Sequence, residues 1–133
     1  KKLMCIIAVL LCILLASCGN DTDNNNKGEN AMYEQITAEA AKKIMDSNED
    51  FIILDVREQD EFDAGHIPGA ILIPYTEIEN KAEKMLPDKD KQLLVYCRSG
   101  RRSKIAAESL VKLGYTNIKE FGGVIDWPYE VVK

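Results

Sequence analysis

A chain of 133 residues with 46% hydrophobic and 29% charged residues has room for one globular domain of ordinary size and little more. The net charge of −5 argues against a nucleic-acid partner, which favours basic faces. One histidine and four cysteines leave too few soft ligands for a convincing metal site once the cysteines are taken one by one, so neither a metal nor a cofactor is expected.

The front of the chain differs from the rest. Lys1-Lys2 precedes an apolar run from Leu3 to Ala16 that is too short to span a bilayer comfortably, the pattern of an export signal. The run ends Leu15-Ala16-Ser17-Cys18, which resembles the lipobox of bacterial lipoproteins. That resemblance implies a signal peptide over 1–17, cleavage before Cys18, and lipid on Cys18. The protein would then be exported and lipid-anchored to a bacterial membrane, facing the periplasm or the cell exterior. Cys5 and Cys12 would leave with the signal, so Cys97 is the only free thiol and a disulfide framework is excluded. Residues 18–31 are the lipidated cysteine and a polar, Asn-rich tether with no large apolar side chain to bury, and the folded domain is expected over 32–133.

Within that domain, Tyr33 to Ile36 is a weak strand candidate, and Thr37 caps a helix to about Met45 with Ala38, Ala41, Ile44 and Met45 on its apolar side. Phe51 to Leu54 reads as a strand buried on both faces. Glu58 to Ala64 gives one or two helical turns, Gly65 to Gly69 a turn, and Ala70 to Ile73 a short strand ended by Pro74. Thr76 is expected to cap a helix carrying Ile78, Ala82, Met85 and Leu86, stopped by Pro87. A strand from Gln92 to Tyr96 delivers Cys97, and the following helix runs to about Leu113 with Gly114 as its left-handed cap. Ile118 to Phe121 is the last strand, Gly122-Gly123 a turn, and Val124 to Trp127 a final turn in which Trp127 packs at the core or its edge. Strands alternating with helices imply an α/β fold with a mostly parallel sheet of about five strands and helices on both faces.

The chemistry concentrates in Cys97-Arg98-Ser99-Gly100-Arg101-Arg102-Ser103, where a buried strand ends and a helix begins. Backbone N–H groups at such a turn lack intrahelical partners and can bind an anion. Three of the four arginines lie here, and a guanidinium fork matches an oxyanion as lysine does not. An ordinary thiol is only about 3% ionised at neutral pH. A helix N-terminus contributes roughly 0.3–1 kcal/mol, so the arginines are expected to supply the remaining charge that makes Cys97 a nucleophile. Arg98, Arg101 and Arg102 are the candidate anion cradle, with Arg102 the best placed unless it pairs with a carboxylate. Ser99, Gly100 and Ser103 shape the loop and offer donors. The duller alternative for Cys97 is a buried core thiol, which would leave the glycine and arginines without a purpose.

This loop closely resembles the active-site loop of single-domain rhodaneses, the sulfurtransferase family. Leu54-Asp55-Val56-Arg57-Glu58 followed by Glu61-Phe62, then Gly65-His66-Ile67-Pro68-Gly69-Ala70, and finally Gly122-Gly123 with Trp127 resemble further signatures of that family in the same order. The resemblance implies a rhodanese-like fold and an enzyme of the thiosulfate sulfurtransferase type. The Cys97 thiolate would take the outer sulfur of thiosulfate or a similar donor as a persulfide, and cyanide or a thiol would then accept it. A protein sulfur acceptor is compatible with this scheme, and a monomer is expected. No general base is required, and His66 lies in a different turn. Asp55 either braces the loop or an arginine or forms a structural ion pair with Arg57, and His66 is read as a structural turn hydrogen bond ahead of a substrate role. Two alternatives are weighed: a non-catalytic sulfur-carrier or binding module, and a cysteine-dependent phosphatase. The phosphatase loop puts its arginine six places after the cysteine, where this chain has Ser103.

Overall fold

The structure, a computed structural model, describes residues 32–133; the expected signal segment, the expected lipidation site Cys18 and the expected tether lie outside the described residues. The two most continuously apolar segments form the middle of the molecule. Strand β2 (Phe51–Asp55) lies beside β4 (Gln92–Cys97), every residue of which is buried. Strand β5 (Ile118–Gly123) lies on the other side of β4, and the short strands β1 (Glu34–Gln35) and β3 (Ile71–Leu72) form the edges. The order is β1-β5-β4-β2-β3, and every pairing is parallel, which places the carboxyl ends of all five strands at one end of the sheet.

Because strand side chains alternate, neighbouring residues feed two separate cores. Leu54, Leu93, Val95 and Cys97 pack with Ile78 and Ala82 of helix α3 (Ile78–Met85) and with Ala106 and Leu110 of helix α4 (Arg101–Lys112). Ile53, Leu94, Tyr96 and Phe121 pack on the opposite face with Ala41 of helix α1 (Ala38–Met45), Ile67 and Trp127. The α/β architecture with helices on both faces matches the expectation from apolar runs and helical spacing.

Local signals explain most boundaries. Thr37 caps α1 by accepting from the Ala40 N–H at 3.0 Å. Helix α2 (Gln59–Ala64) starts with a capping box between Glu58 and Glu61. Gly114, at φ +94, closes α4 in the left-handed region, with the N–H of Tyr115 reaching the Leu110 carbonyl at 3.1 Å. Two expectations are corrected. Thr76 does not cap α3: it lies inside a 3-10 turn, Tyr75–Glu77, that follows Pro74, and α3 starts after Glu77 without a side-chain cap. Nor do Gly122 and Gly123 form a turn after the last strand. They end β5, which shifts register so that Glu120 faces Val95 while Gly123 faces Cys97; the left-handed Gly122 (φ +87) absorbs the bulge. No helix among the described residues is long and apolar enough to cross a membrane.

Candidate active site

Cys97 is the last residue of the central strand, at the carboxyl end of the sheet, where open α/β folds place their ligands. After Arg98 and Ser99 the chain reverses at Gly100, whose φ of +103 is a conformation that suits glycine. That reversal turns the Gly100 N–H back onto Cys97 Sγ at 3.0 Å. Helix α4 then begins, and the Ser103 hydroxyl in its first turn lies 3.4 Å from the same sulfur. Burial alone pushes the Cys97 thiol up. The Ser103 hydroxyl and the N–H groups of Ser103, Gly100 and Ser99 outweigh burial and hold the thiol below its ordinary value.

The loop is pressed against β5 from below. A Cβ on Gly123 would sit 1.9 Å from the Arg98 carbonyl oxygen and 2.5 Å from the Ser99 nitrogen, so only glycine permits this approach. The Arg98 carbonyl also accepts from the Ile125 N–H at 3.1 Å. Gly100 makes a gentler contact, its notional Cβ lying 3.5 Å from Gly122 Cα. The Gly-Gly pair is therefore the floor on which the cysteine loop rests.

The arginines are disposed differently from the sequence expectation. Arg102 is held by a bidentate pair with Glu61 of α2, at 2.7 and 2.8 Å, and these hydrogen bonds, helped by the Arg102 charge, keep the Glu61 carboxyl down at about 2. The Glu58 N–H also donates to Glu61, which joins the helix cap to the clamp. Arg57 is buried against Asp55, donating from Nε and Nη2, and its Nη2 also reaches the Gly65 carbonyl at 2.8 Å. Arg98 and Arg101 are exposed and take part in no ion pair among the described residues. The largest acidifying contributions at Cys97 thus come from a hydroxyl and backbone N–H groups, with the Arg102 charge acting alongside them rather than a ring of guanidinium groups in contact with the sulfur. Two of the four arginines are already neutralised by carboxylates, and Cys97 itself is fully buried beneath its loop. A cleft of about 330 Å³ opens beside the loop, lined by Arg98, Arg57, Glu61, Gly65, Val124 and Ile125.

Asp55 and His66 organise the surroundings. Asp55, fully buried, accepts from Arg57 and from the Tyr96 hydroxyl at 2.7 Å, and that hydroxyl accepts from the Ile67 N–H at 3.1 Å. Burial and the neighbouring Asp55 charge push the Tyr96 phenol up, so it stays a donor. Since Tyr96 immediately precedes Cys97, this network ties the end of β4 to the 65–67 turn. The His66 ring stacks on Phe62 with centroids 3.7 Å apart, and its Nδ1 donates to the Phe62 carbonyl at 2.9 Å. Backbone hydrogen bonds join His66 to Val132. Trp127 packs on Phe121 at the lower rim of the core.

Three groups at the site escaped the sequence reading as participants: Glu61, Tyr96 and Glu120. Glu120, only 3% exposed, accepts from Ser103 Oγ at 2.6 Å and from the Gly122 N–H at 2.8 Å. Its signal was a carboxylate two places after the buried Ile118, on the inward face of a strand.

A model of the rhodanese-like domain matches residues 37–127. The putative sulfur carrier protein YrkF of Bacillus subtilis is 38% identical over 104 residues, which is 77% of this chain but only 55% of that protein. The thiosulfate sulfurtransferase PspE of Escherichia coli is 38% identical over 80 residues, covering 60% of this chain and 77% of that protein. Among solved structures, a rhodanese-related protein from Thermoplasma volcanium superposes with a TM-score of 0.65 at 35% identity, over 75% of this chain and 98% of that one. The cysteine loop, the strand order and these similarities agree, and the chain belongs to the rhodanese-like domain family.

Proposed function

We propose that this chain is a sulfurtransferase that takes a sulfane sulfur from thiosulfate, or a donor like it, onto Cys97 and passes it to cyanide or to a thiol. The Cys97 thiolate attacks the outer sulfur, the donor's S–S bond breaks, and sulfite leaves with the bonding electron pair. The persulfide formed carries its charge on the outer sulfur. The acceptor attacks that sulfur and restores the thiolate, so no net oxidant is consumed. N–H groups aimed at the sulfur stabilise thiolate and persulfide alike. Arg98, which lines the cleft and joins no ion pair among the described residues, would meet the anionic donor there, with the exposed Arg101 in the same loop as a further cation.

The observation that carries this reading is the Gly100 N–H on Cys97 Sγ at 3.0 Å, made by a loop whose sequence and support match a sulfurtransferase family. A carrier role would use the same persulfide and hand it to a protein thiol; the name of the Bacillus relative is consistent with that variant. The test is thiocyanate production from thiosulfate and cyanide. Turnover by the chain and none by Cys97→Ser supports the proposal, and equal rates would end it.

The Leu15-Ala16-Ser17-Cys18 sequence adds a second part to the reading. Lipid on Cys18 would hold the domain at a bacterial membrane, facing the periplasm or cell exterior, with 19–31 as spacer. Membrane fractions should lose the protein on Cys18→Ser; unchanged partitioning would refute the anchor.

A further inference from the structure

Glu120 is a buried carboxylate with an unusual set of partners. Its hydrogen bonds come from a hydroxyl and a backbone N–H, and none of the ion pairs among the described residues includes it. Burying a carboxylate without a cation is costly, so its retention in a strand interior calls for a reason. Its register neighbours, Gln35 in β1 and Val95 in β4, supply no charge. From α4 it meets Ser103, with Glu108 further along. From the segment before β1 it meets Tyr33, whose phenol is pushed up by burial and by the Glu108 and Glu120 charges. Among the described residues, none of these facing groups supplies a positive charge.

Ser103 stands between this carboxylate and the nucleophile. Its hydroxyl has a single proton, and the shortest of its contacts, 2.6 Å to Glu120 Oε1, fixes where that proton points. The lone pairs of Ser103 Oγ are then open to the Cys97 S–H, 3.4 Å away. All three side chains are buried, so the chain Cys97–Ser103–Glu120 is shielded from bulk water.

We propose that Glu120 takes up the Cys97 thiol proton through Ser103, so that thiolate and neutral carboxyl appear together. The S–H bond breaks as its proton passes to Ser103 Oγ, and the Ser103 proton passes to Glu120 Oε1. Negative charge moves from oxygen to sulfur, and nothing is oxidised or reduced. Ser103, freed from donating to Glu120, then donates to the thiolate. In turnover this delivers a thiolate to an anionic donor without leaving a second negative charge at the loop. That use rests on the sulfurtransferase reading; the shared proton does not. Glu120 is in these terms a positioning residue for the proton, since it touches the sulfur only through Ser103.

The test is the pH titration of thiolate ultraviolet absorbance in the full chain, with Cys97→Ser subtracted as baseline. In the wild type, thiolate develops in two stages, because the pair loses its two protons as a unit. Glu120→Gln keeps an oxygen for Ser103 and for the Gly122 N–H but cannot take a proton. It should titrate in one stage with its midpoint at least about one pH unit below the upper wild-type stage, so that at that upper midpoint the variant is already about 90% thiolate. Glu120→Asn, also neutral, should do the same, and Glu120→Asp should keep the two-stage curve. A purely structural role predicts the opposite sign, because a loosened loop loses its N–H contacts and the midpoint rises. Coincident curves, or a rise in both neutral variants, would overturn the proposal. Thiosulfate labelling of the same samples separates it from the parent reading. Shifted titrations without persulfide uphold the shared proton and end the donor assignment, and persulfide with coincident titrations does the reverse.

Discussion

Gly123→Ala tests whether the floor of the cysteine loop is as tight as its geometry indicates. Gly123 has φ −134 and ψ 152, ordinary extended backbone that alanine adopts freely. Torsional strain therefore contributes nothing, and the cost lies wholly in contact. The added Cβ would meet the Arg98 carbonyl oxygen at 1.9 Å, the Arg98 carbonyl carbon at 2.3 Å and the Ser99 nitrogen at 2.5 Å. All three are backbone atoms, so no rotamer change relieves the clash. Restoring even a close C···O approach of about 3.3 Å requires strand and loop to separate by roughly 1.4 Å. The hydrogen bond from the Ile125 N–H to the Arg98 carbonyl, 3.1 Å long, does not survive that separation. Overpacking of this kind costs up to about 3 kcal/mol. The stiffer unfolded chain offsets up to about 1 kcal/mol, leaving a net loss near 2 kcal/mol and a fall in Tm of roughly 10 °C. Sulfur transfer should fall about a hundredfold, the scale of a 1 Å displacement at a reacting group. Gly122→Ala is the informative partner. Nothing lies within 4 Å of its notional Cβ, but its φ is +87, so it should cost about 1 kcal/mol in backbone strain with a smaller loss of transfer. Thermal unfolding and thiocyanate assays on both variants decide the matter. A Gly123→Ala protein as stable and active as wild type, or a Gly122→Ala protein more damaged than Gly123→Ala, would refute the reasoning.

Glu61→Gln tests the clamp between α2 and α4. Because Arg102 holds the folded Glu61 carboxyl down at about 2, its contribution is present above the unfolded value and is lost as pH falls through about 2. With both side chains partly exposed, roughly 1–2 kcal/mol is expected near neutrality. Urea titrations should show the wild type more stable at neutral pH and the difference closing between about pH 5 and pH 2; a difference independent of pH would contradict the assignment. Tyr96→Phe removes the hydroxyl that bridges Asp55 and the Ile67 N–H, leaving a buried donor without its partner. A loss of about 2 kcal/mol is expected, read as a lower urea midpoint with an unchanged slope. A change below about 0.5 kcal/mol would show that Asp55 and Arg57 hold the turn without it.

What was legible in the sequence was what depends on neighbours along the chain. Phe51–Leu54 and Gln92–Tyr96 are apolar enough to announce central strands, and the string from Cys97 to Ser103 announces a strand–loop–helix junction by itself. The Gly-Gly pair near the end was visible, but its purpose was not, since nothing local shows that Gly123 lies against the Arg98 peptide. The arginines misled for the same reason. Three in six residues read as a cationic ring, yet the carboxylate that claims Arg102 sits 41 positions away, and the main acidifying groups are the Ser103 hydroxyl and N–H donors that nearly every residue carries. Glu120 is 17 positions from Ser103 and becomes part of the site only when β5 and α4 pack together. Thr76 misled locally: a threonine just before a helical stretch has the right chemistry for a cap, but the 3-10 turn after Pro74 takes it past the capping position.

The most direct measurement is the intact mass of the chain after exposure to thiosulfate. A gain of one sulfur atom, removed by cyanide and absent from Cys97→Ser, is the predicted result. An unchanged mass, or a gain that persists when Cys97 is replaced, would contradict a persulfide at the centre of this site.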